Sequence, residues 1–184
     1  MSSIAITGGA TGTGVFSLLA PSTSTNRTLT LPDSNGTILT TATAGVPVNG
    51  PAFSAYKNAT QSLSAATNTK IVFQAEEFDT NSCFDTSTSR FTPTVAGYYQ
   101  VVSCLAPLAG SYAGVTIYKN GAVAKSGVQT SGSGDYLYST SVTALIYCNG
   151  STDYLEIYAY GGLANTLTAS ASNNFFQAVM VRAA

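Results

Sequence analysis

Residues 73–101 read FQAEEFDTNSCFDTSTSRFTPTVAGYYQV, and the spacing inside that stretch decides the fold. Phe73, Asp79, Phe84, Phe91, Gly97 and Tyr99 stand as F-x5-D-x4-F-x6-F-x5-G-x-Y. Aromatic side chains bury large areas and dominate protein cores. On physical grounds alone these rings are core positions, separated by runs of Asp, Ser, Thr and Pro that favour turns.

The pattern extends in both directions. From Ser54 onward, short apolar runs alternate with a period of two between turn signals, as in a sandwich or barrel. GVTIYKNGAVAKSG (residues 114–127) sets Val115 and Ile117 against Thr116 and Tyr118, then turns at Asn120-Gly121, a strong hairpin signal. Residues 139–162 repeat the theme. Val142, Ala144 and Ile146 share a face, Asn149-Gly150 marks a turn, and Leu155, Ile157 and Ala159 share the next face, opposite Tyr154, Glu156, Tyr158 and Tyr160. The closing NNFFQAVMVRAA has Phe175, Gln177, Val179 and Val181 on one side and Phe176, Ala178 and Met180 on the other. Both sides are largely apolar, so this strand is expected in the centre of a sheet, covered on both faces. Helical periodicity is confined to short pieces, and the chain reads as all-β.

Composition narrows the function classes. The 184 residues include 45% hydrophobic ones, enough for a packed core and a prior of one domain. Charged residues make up only 8%, against about 25% in ordinary soluble domains. A net charge of −1 offers no field to nucleic acid, and near-neutral surfaces tend to associate. No run reaches the length of a membrane span. Without histidine, a Ser-His-Asp or Cys-His site cannot be built, and the commonest zinc ligand is missing. Cys83, Cys104 and Cys148 are widely spaced. Buried free thiols are the leading reading, one disulfide with an odd thiol the second, and a metal site the third; the odd count suits a reducing compartment. Sequons at Asn26, Asn35, Asn58 and Asn149 are expected by chance in so Asn-, Ser- and Thr-rich a chain.

Two candidate chemistries fail. TGGATGTG (residues 7–14) has the glycine pattern of a dinucleotide loop, but such a loop must open a helix whose N-terminus holds the pyrophosphate. Pro21 and a Ser/Thr run stop any helix here, and none of the eleven tyrosines has a lysine four residues on. No cofactor is expected. Glycoside hydrolysis needs two carboxylates about 5–10 Å apart. The eight acids offer one cluster, Glu76, Glu77, Asp79 and Asp85, which reads as a solvated edge. The protein is expected not to be an enzyme.

Residues 1–50 differ from the rest. Two weak strand candidates, residues 14–21 and 27–41, carry the sparse apolar positions Val15, Leu18, Leu29, Leu31 and Ile38, too few to close a core unaided. TATAGVPVNGPA (residues 41–52) reads as a joint. The expected division is an extended β arm or stalk over 1–50, attaching to a particle through those five residues, and a head over 51–184.

The six fixed positions from Phe73 to Tyr99, with RFTPTVAGYYQV around them, resemble the signature of the complement C1q-like domain. That domain is a ten-strand jelly roll related to the tumour necrosis factor fold. The resemblance runs over about residues 52–182, from AFSAY (52–56) to FFQAVMV (175–181), with Val101 and Ser103 where aromatics are usual. It implies a homotrimer built around the flat inner sheet. Tyr56, Tyr99, Tyr158 and Phe176 are the candidate contacts, the alternative for each being packing inside its own subunit. NRTLTLPDSNGTIL (26–39) is similar to a segment of tailed-phage fibre and virion-surface proteins. Together the two resemblances imply a capsid decoration or cement protein on the virion surface, made in the host cytoplasm. Its arm would touch the major capsid protein or another virion protein. The alternative is a tail or head fibre tip that grips a host surface glycan.

Overall fold

The computed structural model describes residues 50–106, 113–128 and 139–184, together with Ser24. The expected arm with Val15, Leu18, Leu29, Leu31 and Ile38 lies outside the described residues, as does the glycine pattern at 7–14.

Among the described residues every regular element is a strand. Five make one antiparallel sheet: β1 (Ala52–Lys57), β4 (Ala75–Asp79), β7 (Ala96–Leu105), β10 (Thr140–Asn149) and β13 (Ser170–Ala183), in the order β10-β7-β13-β1-β4. The second sheet runs β5-β6-β11-β8-β9, from β5 (Phe84–Asp85), β6 (Arg90–Phe91), β11 (Leu155–Gly161), β8 (Ala113–Lys119) and β9 (Ala122–Ser126). These ten strands make a jelly-roll sandwich. Three short strands are added to it. β3 (Thr67–Lys70) pairs with β11, and β2 (Gln61–Leu63) pairs with β12 (Asn165–Leu167).

The signature positions each have a physical reason. Phe73, Phe91 and Tyr99 are wholly buried, and Phe84 nearly so. Phe53 stacks between Phe84 and Phe91, with ring centres 4.7 and 4.6 Å away, and meets Phe176 edge-on at 4.8 Å. The Asp79 carboxylate accepts a bond from the Phe84 amide at 2.7 Å and closes the turn into β5. Gly97 lies so close to β13 that a Cβ there would stand 2.4 Å from the Arg182 carbonyl oxygen. No other residue fits there without moving a strand.

Alternation is read correctly along β8, β10 and β11: Val115, Ile117, Val142, Ile146, Leu155, Ile157 and Ala159 all face the core. Asn120 and Gly121 both have positive φ, 54° and 79°, the twist a two-residue hairpin needs. The turn at Asn149-Gly150 behaves otherwise. It joins β10 to β11, which belong to different sheets, and so crosses the sandwich rather than closing a hairpin. Asp153 ties the two turns together, accepting from Asn120 Nδ2 at 2.7 Å and from the Asn149 amide at 2.9 Å. At Ser103, where the resembled family has an aromatic, the buried hydroxyl donates to the Phe175 carbonyl at 2.8 Å.

β13 is central, between β7 and β1, as expected. Its second face is another matter. Phe176, Ala178 and Met180 are buried, but Val179 and Val181 are nearly half exposed. Within this chain no described element covers that side, so the expectation of burial on both faces is corrected to burial on one.

Candidate functional site

The strand register places the outer face of the five-stranded sheet in rows. One runs Phe78, Ser54, Gln177, Val102, Thr143; the next runs Ala52, Val179, Gln100, Leu145. On the Lys57 side lies Ala75, Tyr56, Phe175, Cys104, Ser141, and at the opposite end Tyr98 stands between Arg182 and Tyr147. Charge is sparse here: Arg182 stands in the last row, Glu77 is bonded to Ser54 from the edge strand, and Lys119 reaches the Tyr147 carbonyl. Phe78, Tyr98, Leu145, Tyr147, Val179 and Val181 are between 41% and 53% exposed, a cluster of large apolar side chains with solvent on one side. Large exposed apolar patches are uncommon on monomeric proteins and mark interaction sites, and this face gathers six such side chains.

The face is ordered and hollowed. Ser54 Oγ donates to Glu77 Oε2 at 2.7 Å and accepts from Gln177 Nε2 at 2.9 Å, a polar bar across three strands. Two depressions follow from the bar toward the Tyr98 end, one of about 260 Å³ beside Phe78, Gln177 and Val179 and one of about 640 Å³ beside Tyr98, Leu145 and Val181. A matching surface could seat side chains in both.

The four candidate contacts fall in three places. Tyr56 is on this face, half-buried. Tyr99 and Phe176 are not: both are fully buried in their own subunit. Tyr99 packs 5.5 Å from Phe91 and its hydroxyl donates to the Val95 carbonyl at 2.6 Å, and burial pushes that hydroxyl's pKa up. The period of two explains the correction, because Tyr98 and Gln177 take the outward positions beside them. Tyr158 faces outward from the other sheet, stacked on Tyr118 with ring centres 4.0 Å apart. The residues missed, Phe78, Tyr98, Leu145, Tyr147 and Val179, left one signal: the second apolar side of β13.

The outer face of the six-stranded sheet is internally tied. Glu156, 2% exposed, accepts from Arg90 Nε at 2.7 Å and from Lys70 Nζ. Burial opposes its ionisation, but the bonds from Lys70 and Arg90 outweigh that and hold the carboxyl below its ordinary range. The Arg90 guanidinium lies 4.2 Å over the Tyr154 ring. Lys57 is handled differently. It is wholly buried, among the described residues bonds Gln61 Oε1 at 3.0 Å and the Val72 carbonyl at 2.9 Å, and desolvation pulls its pKa down to about 8.

Three members of the acidic cluster are hydrogen-bonded within the chain, one across strands and two in turns. Glu77 accepts from Ser54, Asp79 from the Phe84 amide, and Asp85 from Ser87 and Thr88. The Ser87 and Thr88 hydroxyls hold Asp85 down to about 2, while burial and the neighbouring Asp79 and Asp85 raise Glu76. All three cysteines are free. Cys148 is buried and pushed up to about 11 by that burial, so it is an unreactive thiol; Cys104 is on the outer face. Among the described residues no three His, Cys, Asp or Glu side chains gather as a metal centre requires.

No protein-family model matches the chain, and no curated protein sequence matches it. Solved structures do. The globular domain of zebrafish complement 1qA is 19% identical with a TM-score of 0.56, covering 73% of this chain and 99% of its own. Its fold is the C1q and tumour necrosis factor jelly roll. Eiger TNF from S. frugiperda is 13% identical at a TM-score of 0.59, covering 74% of this chain and 96% of its own. Murine APRIL is 12% identical at 0.56, covering 72% and 100%. At these identities the likeness establishes the jelly roll.

Proposed function

We propose that this jelly-roll head is a non-enzymatic structural module that associates as a homotrimer through the outer face of its five-stranded sheet. One observation carries this: six large apolar side chains share an ordered, hollowed and nearly uncharged face. A second copy of the same chain is the occupant whose chemistry matches it, because the patch is apolar and most soluble oligomers are closed assemblies of one chain; in a threefold ring different parts of this surface meet on neighbouring copies. The resemblance to C1q-like domains supports a threefold arrangement. Multi-angle light scattering should give three times the chain mass; a stable single subunit at micromolar concentration would refute the proposal.

In the particle, the favoured role is that of a capsid decoration or cement protein of a tailed phage, sitting on the virion surface with the N-terminal segment against capsid or another virion protein. The likeness of residues 26–39 to phage virion segments and the sparse charge support this role. Binding only the assembled shell would stabilise it by mass action. Particles lacking the protein should release DNA at a lower temperature than complete ones, and equal release temperatures would remove the cement role. A second reading, a fibre tip that grips a host surface glycan, is favoured by a polar, tyrosine-lined hollow on the opposite sheet. Copy number separates the two: hundreds per particle mean decoration, a few to a few tens mean fibre.

A further inference from the structure

The six-stranded sheet carries on its outer face a hollow of about 430 Å³, within the usual range for small-molecule sites. Its walls come from three adjoining strands and the neighbouring end of β9. In the register, Asn68 of β3 stands opposite Tyr160 of β11, which faces Gly114 of β8. Thr116 stands opposite Ser126, and Tyr118 opposite Val123. Gly114 presents only backbone beside Tyr160, so the sheet dips there between two aromatic rings.

We infer that this hollow binds a short neutral saccharide, whichever role the trimer has in the particle. Three features lead to that ligand class. The lining among the described residues is uncharged, so neither an anionic nor a cationic group finds its counterpart there. On the same outer face Lys70, Arg90 and Glu156 are paired with one another, and the lysines next in sequence to the lining, Lys119 and Lys125, do not themselves line the hollow. Tyr118 is held from behind by its stack on Tyr158, which leaves a ring fixed at the edge of the hollow for the apolar C–H face of a pyranose. Thr116, Ser126 and Asn68 bring hydroxyl and amide groups to the same space, and these can both donate to and accept from sugar hydroxyls. An apolar ligand would strand those groups without partners, and a nucleic acid would lack the cations its phosphates require. The site lies on the sheet opposite the association face, so trimerisation leaves it open and the two proposals fail separately.

The test uses the full chain, titrated with lactose, maltose and N,N′-diacetylchitobiose while amide resonances are followed by NMR. Sialyllactose is the charged comparison. At least one neutral disaccharide should shift the signals of Thr116, Tyr118 and Tyr160 at millimolar concentration, and sialyllactose should bind no better than lactose. Tyr118→Ala should weaken that binding by ~10-fold, the scale of one lost aromatic contact. Thr116→Val, which keeps the strand-forming shape and removes the hydroxyl, should also weaken it with the trimer mass unchanged. If none of the three sugars shifts these signals at tens of millimolar, the inference is wrong. It is equally wrong if Thr116→Val folds normally and binds as tightly as the parent, or if sialyllactose binds markedly better than lactose.

Discussion

The outer faces of the two sheets treat their side chains in opposite ways. On the six-stranded sheet, Lys70 and Arg90 converge on Glu156, Arg90 covers Tyr154, and Tyr158 covers Tyr118. Each group that would suffer in isolation has a neighbour from another strand. On the five-stranded sheet the large side chains stand half in solvent, tied across strands by the polar bar through Ser54 and by the Tyr98–Tyr147 ring contact at 5.5 Å. A face satisfied within its own chain gains little by meeting another. One whose apolar area is still in water gains about 25 cal/mol for each Å² it covers. That difference is the ground for proposing the five-stranded sheet as the association surface.

The comparison breaks most visibly at Leu145. Leu145→Asp places a charge in the middle of the apolar rows, and the expected outcome is a folded single subunit, read as a threefold fall in mass by light scattering. Leu163→Asp, at a site equally exposed but away from these rows, should leave the mass unchanged. Trimers surviving Leu145→Asp would mean that the wrong face has been chosen.

Phe176 tests the boundary between face and core. It touches Phe53, Phe73 and Phe84 and has no exposed surface, so Phe176→Ala should cost about 3–5 kcal/mol in urea unfolding. A loss below 1 kcal/mol, with weakened association instead, would return it to the interface.

Lys57 and Glu156 sharpen the comparison through pH. Lys57 has a folded pKa of about 8 against an ordinary 10.5, so the unfolded chain binds the extra proton between those values. The Lys57 contribution to stability should therefore rise with pH across that window, by about 3 kcal/mol in all, while the raised Cys148 thiol and Tyr99 hydroxyl act in the opposite sense. Lys57→Met should remove the rise and stabilise the protein at neutral pH, as unfolding curves at pH 7 and pH 10 would reveal. Glu156 has the opposite sign. Its folded pKa is depressed, so its contribution is present above about pH 4.5 and lost as pH falls through the folded value. Because Lys70 and Arg90 keep access to water, Glu156→Gln should cost only about 1–2 kcal/mol at pH 7 and flatten the acid limb of the stability profile.

Much of the fold was legible in the sequence because the relevant signals are local. The Asn120-Gly121 turn needs only two residues that tolerate positive φ. The burial of Val115, Ile117, Leu155 and Ile157 follows from the period of two. The spacing from Phe73 to Tyr99 is legible because each member has a role that few residues can fill, down to the absent Cβ of Gly97. The candidate face was less legible. Among Tyr56, Tyr99, Tyr158 and Phe176, only Tyr56 lies on it, since a tyrosine in a strand looks the same whether it points to the core or to a partner. Tyr98 and Tyr99 are adjacent and alike in kind, and strand phase alone separates the exposed one from the buried one.

By itself the sequence determined that the chain is β-structured, which positions alternate, where the tightest turn falls, and that charge is sparse at 8% of residues. The tertiary structure alone decided which of β13's two apolar sides is enclosed, that Asn149-Gly150 crosses between sheets, and that Lys70, Arg90 and Glu156 meet. Those outcomes depend on which strands become neighbours across tens of residues. Strand pairing distributes its hydrogen bonds along the whole backbone, so no short stretch of side chains encodes the choice of partner.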